Sequence, residues 1–299
     1  METNNKKLVT HDGSFHADDI FAAATLCLVL EKRNENFEII RTRNVEIVDK
    51  GDYVFDVGGI YDEKTNRFDH HQVSFKDKRK DGILYSSFGL VWKKYGPDLS
   101  GSEKIAEIVE KHLVAPVDAF DNGFDLVQNK YDISPYFIQH FFRAMIPTWT
   151  EKDITNDEMF LKSVEIAKKI LSREIVQARD SVLAEEKIIS IYRNAKDKRI
   201  IVLDQNYPYE YTLNNFPEPL FVVYPRKSDG SWGVKALRED PKTFKNRKDF
   251  PKPWAGLRDE ELQKITGVPD TVFCHKGLFM AVAKTKEGVI KLAELALLV

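Results

Sequence analysis

The sequence predicts an α/β protein of two domains: a mainly parallel N-terminal sheet, then a smaller mixed α/β domain. Three observations carry that prediction. The chain opens strand, helix, strand, strand, the order that begins a parallel sheet, whose ligand sites lie beyond the strand carboxyl ends. A long helical pattern over 158–189 then separates two regions of different composition. Beyond it, short apolar runs return in pairs across Gly-containing turns, as hairpins do.

The elements follow in order. Residues 6–10 (KKLVT) read as a short buried strand ending at His11, and Asp12-Gly13-Ser14 is turn chemistry. From Ala17 to about Arg33, two series recur at helical spacing: Ile20, Phe21, Ala24 and Leu28, and Ala23, Cys27 and Leu30. Residues 37–41 are β-rich, and 53–57 form a strand halted by Gly58-Gly59. Residues 75–82 make a polar, basic loop. Helices are expected over 84–95 and, capped by Ser102, over 103–112. Residues 115–123 (APVDAFDNG) carry two acids three apart beside Asn-Gly, a ligand-like cluster. In the second half, strands are expected at 200–203, 220–224, 232–237, 272–275 and 279–283, with a closing helix from about Lys286. The Pro- and Lys-rich stretch within 241–254 reads as a solvated or mobile lid.

Length agrees with two domains, drawn at 1–190 and 191–299. At 42% hydrophobic and 31% charged residues, the chain can bury a core and is too apolar to stay disordered. No run approaches the ~18 apolar residues of a membrane span. Met1–Lys7 contains neither an apolar signal core nor an Arg-rich leader, so the expectation is a cytoplasmic protein with no membrane partner. Cys27 and Cys274 stand in different halves and offer no disulfide framework. Oligomeric state leaves no trace in the sequence. The net charge of −2 divides into −7 over residues 1–190 and +5 over 191–299. An acidic half beside a basic half suits a phosphate-bearing substrate.

Function is concentrated around Asp69-His70-His71. A carboxylate and two imidazoles are costly to desolvate together unless something pairs with them, and a divalent cation is the usual partner. Upstream stand His11, His16, Asp18 and Asp56, so four of the seven histidines lie within the first 71 residues. His11 and Asp56 fall at the ends of two successive predicted strands. Mixed nitrogen and oxygen donors favour Mn2+, with Mg2+ or Co2+ as alternatives, and two such ions can clamp a phosphate and acidify a bridging water. Asp12 and Asp19 read as weaker acids that orient ligands or charge a helix start. His71 is open between three roles: ligand, orienting residue, and donor or acid toward a substrate phosphate. Asp118 and Asp121 are each open between metal ligand and turn-stabilising residue. In the second half Arg226, Lys235, His275 and Trp232 are candidates for binding phosphate and base.

Three runs, THDGSFHADD at 10–19, FDVGG at 55–59 and FDHHQ at 68–72, resemble the DHH phosphoesterase superfamily. That superfamily includes RecJ-type exonucleases, family II pyrophosphatases and hydrolases of cyclic dinucleotides or oligonucleotides. Together with VDAFDNG at 117–123 and FCHKG at 273–277, these runs look like its MYG (melanocyte-proliferating-gene) branch, regarded as metal-dependent 3′-5′ RNA exonucleases. The resemblance implies a DHH-type catalytic domain, a smaller C-terminal domain closing over substrate, and an active site in the cleft between them. It implies two Mn2+ ions, with His11, His16 and Asp18 in the first motif and Asp56 bridging. Asp69, His70 and His71 match the third motif, and either Asp121 or Asp118 supplies the fourth, with Asp121 favoured. It also places a His at 16 where many relatives have Asp. The expected function is therefore a 3′-5′ exonuclease on RNA or short oligonucleotides. Two rivals remain: a hydrolase of a small phosphoanhydride or cyclic dinucleotide, and a non-catalytic metal-containing RNA-binding protein.

Overall fold

The strand expected at 6–10 forms as β1 (Lys6–Thr10) in the computed structural model, which describes residues 5–299. Leu8 and Val9 are wholly buried because β1 lies between β2 (Phe37–Arg41) and β3 (Tyr53–Phe55), parallel to both. Two short strands complete the sheet, β4 (Tyr61–Asp62) and β5 (Arg67–Phe68). The order is β2-β1-β3-β5-β4, with only β4 running antiparallel to its neighbour. The helix α1 (Ala17–Lys32) is apolar on nearly every side and accordingly almost fully buried. It is followed in the chain by α2 (Val45–Asp49), α3 (Ser87–Ser100) and α4 (Glu103–Val109). Phe21 of α1 stacks on Phe88 of α3 with ring centroids 5.0 Å apart.

The acidic cluster at 115–121 lies on a helix. A wide turn over Glu110–Val114 leads without a break into α5 (Ala115–Asp121). Pro116, whose ring nitrogen lacks an N–H, falls where the wide turn passes into α5, so the bond it cannot make lies at an already irregular place in the ladder. The short helix α6 (Ile138–Arg143) and the 39-residue α7 (Asn156–Asn194) follow. The chain divides into two compact units, Met1–Arg179 and Asp180–Val299, the division falling within α7.

The second unit contains β6 (Ile200–Val202), α8 (Glu210–Leu213), β7 (Phe221–Pro225) and β8 (Trp232–Ala236). After these come α9 (Asp259–Thr266), β9 (Thr271–Cys274), β10 (Met280–Ala283) and α10 (Lys286–Leu297). Its sheet order is β6-β7-β8-β10-β9, with β6 parallel to β7 and the remaining pairs antiparallel. The stretch expected to be a solvated or mobile lid is anchored instead. Arg247 donates to the carbonyls of Phe216 (2.6 Å) and Pro219 (3.1 Å), and Phe250 and Trp254 are buried. Among the described residues, no helix is long and apolar enough to cross a membrane.

Candidate metal centre

Three neighbouring parallel strands end on the residues singled out by type: His11 follows β1, Asp56 follows β3 and Asp69 follows β5. The carboxyl edge of the sheet therefore supplies one side of the site. The first turn of α1 adds His16, Asp18 and Asp19, and the last residue of α5 adds Asp121. Asp56 takes a left-handed backbone (φ +56°), a conformation that Asp accepts more readily than most residues. Gly58 (φ +95°) and Gly59 (φ +68°) then turn the chain so that the Gly59 N–H reaches Asp69 Oδ2 at 2.6 Å.

The donor atoms converge in three overlapping groups: His11, His16 and Asp56; Asp56, His70 and His71; and His16, Asp18 and Asp121. Within each group the ligand atoms lie within 4.8 Å of one another. His70 Nε2 faces Asp121 Oδ2 at 3.3 Å, Asp56 Oδ1 at 3.4 Å and Asp18 Oδ2 at 3.8 Å. It makes a sound hydrogen bond to none of them, and neither oxygen of the buried Asp18 has a hydrogen-bond partner. Bonds of about 2.1 Å to one ion set its adjacent ligands roughly 3–3.5 Å apart. The spacings from His70 to Asp121 and Asp56 thus match ligands around a shared cation better than a hydrogen-bond network, with Asp18 a little further out.

His11 is oriented for the same task. Its Nδ1 lies 2.9 Å from the Asp12 carbonyl, which fixes the proton there and turns the lone pair of Nε2 toward Asp19 Oδ2 and Asp56 Oδ2, each 3.2 Å away. Charge says the same. Burial disfavours an imidazolium at His11, but the carboxylates of Asp19 and Asp56 beside Nε2 outweigh it and hold the group near 10. Burial and the carboxylates of Asp56 and Asp121 push Asp18 well up, while burial at Asp56 is overcome by His11 and His70, which hold it far below the usual range. The protein alone gathers more negative charge than it can neutralise, so protons stand where a cation would. The residues present fit a divalent metal centre.

Asp69 and His71 flank this cluster. Asp69 Oδ1 accepts from the His71 backbone N–H (3.0 Å) and from Nδ1 (2.8 Å), which raises the His71 pKa. The His71 side chain is 63% exposed, and its Nε2 has no hydrogen-bond partner among the described residues. Asp19, read as a weaker acid, is fully buried and bonds the His16 N–H at 2.9 Å as well as facing His11. Asp12 is exposed and pairs with Arg43. Ser87 was not anticipated; its hydroxyl donates to Asp56 Oδ1 at 3.1 Å, and nothing in a Ser at a helix start distinguishes it in sequence.

One candidate ligand is corrected. Asp118 is fully buried and both its oxygens are committed, one to Ser86 Oγ (2.5 Å) and the Gly89 N–H (3.1 Å), the other to Arg79 Nη2 (2.7 Å). It ties α5 to α3 and to the 75–82 loop, and neither oxygen is turned toward the donor cluster. Of the two acids of α5, Asp121 is the one whose carboxylate faces His70 and joins His16 and Asp18. The four candidates of the second unit have local partners. Arg226 pairs with Asp229 at 3.4 Å, and the Lys235 ammonium lies 5.8 Å from the Tyr224 ring centroid. Trp232 packs against the core, and His275 Nδ1 accepts the Gly277 N–H.

Residues 7–297 match the family model described as "MYG1_exonuc: Uncharacterised protein family (UPF0160)". The chain belongs to this family. The MYG1 protein C694.04c of Schizosaccharomyces pombe is 31% identical, with 98% of each chain covered. The MYG1 exonuclease of Homo sapiens is 28% identical over 97% of this chain and 85% of its own. A Mn2+ complex of RecJ from Thermus thermophilus is 13% identical with a TM-score of 0.28, covering 99% of this chain and 52% of that one, a likeness too weak to carry over a site.

Proposed function

We propose that this MYG1-family chain is a metal-dependent phosphodiesterase, a 3′-5′ exonuclease acting on RNA or short oligonucleotides in the cytoplasm. The observation that carries the reading is the sharing of Asp56 and His16 among three donor groups, a pattern suited to two neighbouring ions. Two divalent ions there, Mn2+ first and Mg2+ or Co2+ as alternatives, would supply hydroxide near neutral pH and offset phosphate charge. Asp56, steadied by Ser87, lies in two of the donor groups and is the natural bridging ligand. Asp69 holds Nδ1 of His71 and keeps that imidazole charged to higher pH, so Nε2 can donate a proton to the departing oxygen. Arg226, Lys235, Trp232 and His275 are the contacts proposed for substrate in the second unit. Removal from a chain end is favoured by relatives bearing the name MYG1 exonuclease.

The test is hydrolysis of a 5′-labelled RNA oligomer, with Mn2+ present or chelated. Metal-dependent ladders in one-nucleotide steps are expected. Turnover of pyrophosphate or a cyclic dinucleotide without RNA cleavage would move the activity to a small substrate. Cuts in circular RNA would overturn the exonuclease assignment. Asp69→Ala should lower hydrolysis by about 100-fold or more while the chain stays folded, because it frees the His71 ring; retained activity would remove Asp69 and His71 from the site.

A further inference from the structure

Beside the donor cluster lies a cavity of about 480 Å3, built wholly from residues between Ser14 and Ile146. His16, Asp18 and Asp121 form part of its wall. Holding ions requires no such cavity, since carboxylates and imidazoles can ligate at an open edge. The remaining lining belongs to a second kind of site. Phe15, Val117, Phe120 and Ile146 contribute apolar surface, with His140 and Arg143 of α6 among them. The volume falls in the range of small-molecule sites, roughly 300–1,000 Å3, and is that of a pocket rather than a groove along a strand.

Three features indicate what fits. Phe120 is large, apolar and 42% exposed, and its ring is braced by His140 (centroids 5.6 Å apart) and Phe137 (5.9 Å). A fixed aromatic ring open to a polar cavity is a stacking surface for a heteroaromatic base. His140 Nδ1 accepts the Phe137 N–H at 3.0 Å, which places the ring proton on Nε2 and makes that atom a donor. Arg143 differs from the other arginines up to residue 150. Arg33, Arg41, Arg43, Arg67 and Arg79 each bond a carboxylate or a carbonyl. The Arg143 side chain has no hydrogen-bond or ion-pair partner among the described residues, although residues 1–190 carry a net charge of −7. An unpaired guanidinium fork lining a cavity, a few side chains from a phosphate-type metal centre, matches a phosphate oxygen in shape and charge.

We propose that this cavity is a subsite for a single nucleotide at a nucleic-acid end. Its base lies against Phe120, and a phosphate oxygen takes the Arg143 fork and His140 Nε2. The proposal rests on the nuclease reading above and deepens it: a pocket sized for one unit beside the ions selects an end over an internal position. It also places recognition of the terminal nucleotide inside the first unit, on α5 and α6.

The test is calorimetric titration of the full-length Mn2+-loaded protein with adenosine 5′-monophosphate, for the wild type, Arg143→Gln and Phe120→Ala. Both side chains are exposed, so neither change threatens the fold. Each variant should weaken monophosphate binding about tenfold, from the loss of a charged hydrogen bond or of a stacked base. Each should raise the KM for an RNA oligomer by a similar factor, with kcat changed by less than about threefold. A wild type that binds no monophosphate, or variants that bind it as tightly as wild type, would overturn the subsite. Two outcomes separate it from the nuclease reading. Monophosphate binding that both variants weaken, with no oligomer hydrolysed, keeps the subsite and sinks the nuclease. Oligomer hydrolysis indifferent to both variants does the reverse.

Discussion

Asp118 and Asp121 differ by three positions and have opposite fates. Asp121, on the last turn of α5, points its carboxylate at His70 and joins His16 and Asp18. Asp118, one turn earlier, is sealed against Arg79, Ser86 and the Gly89 N–H. Burial pushes its carboxyl up to about 7, against the pull of Arg79 and Ser86. The two substitutions should therefore separate. Asp121→Ala should weaken metal affinity about 10- to 100-fold with little change in stability, read by Mn2+ titration. Asp118→Ala should cost about 3 kcal/mol in urea unfolding, because it leaves the largely buried Arg79 guanidinium with Glu110 as its remaining carboxylate partner. Metal affinity should survive in the folded fraction; a reversal of the two results would reinstate Asp118 as the ligand.

At the scale of the element, the contact between α3 and α5 positions this corner of the site. Gly89 is a glycine because α3 passes so close to Asp118 that a Cβ there would lie 1.8 Å from Oδ2 and 2.8 Å from Arg79 Nη2. The carboxylate cannot swing aside, being held from three directions. Gly89→Ala should destabilise the protein by ~1–3 kcal/mol as an overpacked core does, shifting the urea midpoint at constant slope. In combination with Asp118→Ala the cost should be well below the sum of the two, since the second change removes the atom that clashes. Full additivity would show that α3 and α5 do not meet through this contact. The basic loop 75–82 belongs to the same element pair. Its Arg79 is not a solvated cation but the charge that allows Asp118 to be buried.

For the molecule as a whole, the charge asymmetry has a measurable consequence. If the basic second half contacts substrate phosphates, log of affinity should fall linearly with log of salt, by about 0.7 for each contact to a single strand. Arg226→Ala and Lys235→Ala should each flatten that slope by about 0.7. An unchanged slope would dismiss them as substrate contacts. A bound ion should also appear as stability: Mn2+ at a hundredfold excess over its Kd adds about 2.7 kcal/mol, lost on chelation. An unfolding midpoint indifferent to chelator would contradict a centre that binds only the folded chain.

Much of this was legible from residue type and spacing. The parallel opening, the helix from Ala17 and the paired strands of the second half follow from local periodicity, which a chain carries wherever it folds. His11, His16, Asp18, Asp56, Asp69 and His70 stand out because acids and imidazoles clustered at strand ends are costly to desolvate without a partner. What local pattern could not carry was adjacency. β5 is two residues long, too short to signal itself, yet it brings Asp69 beside Asp56 at the sheet edge. Whether the segment at 115–121 was turn or helix, and hence which of its acids meets His70, depended on packing against α1 and α3. The same packing converted Arg79 and Asp118 into a buried pair and assembled Phe120 and Arg143 around one cavity. Distances between residues remote in sequence are set by the whole hydrophobic core closing at once, and no window of the sequence contains them.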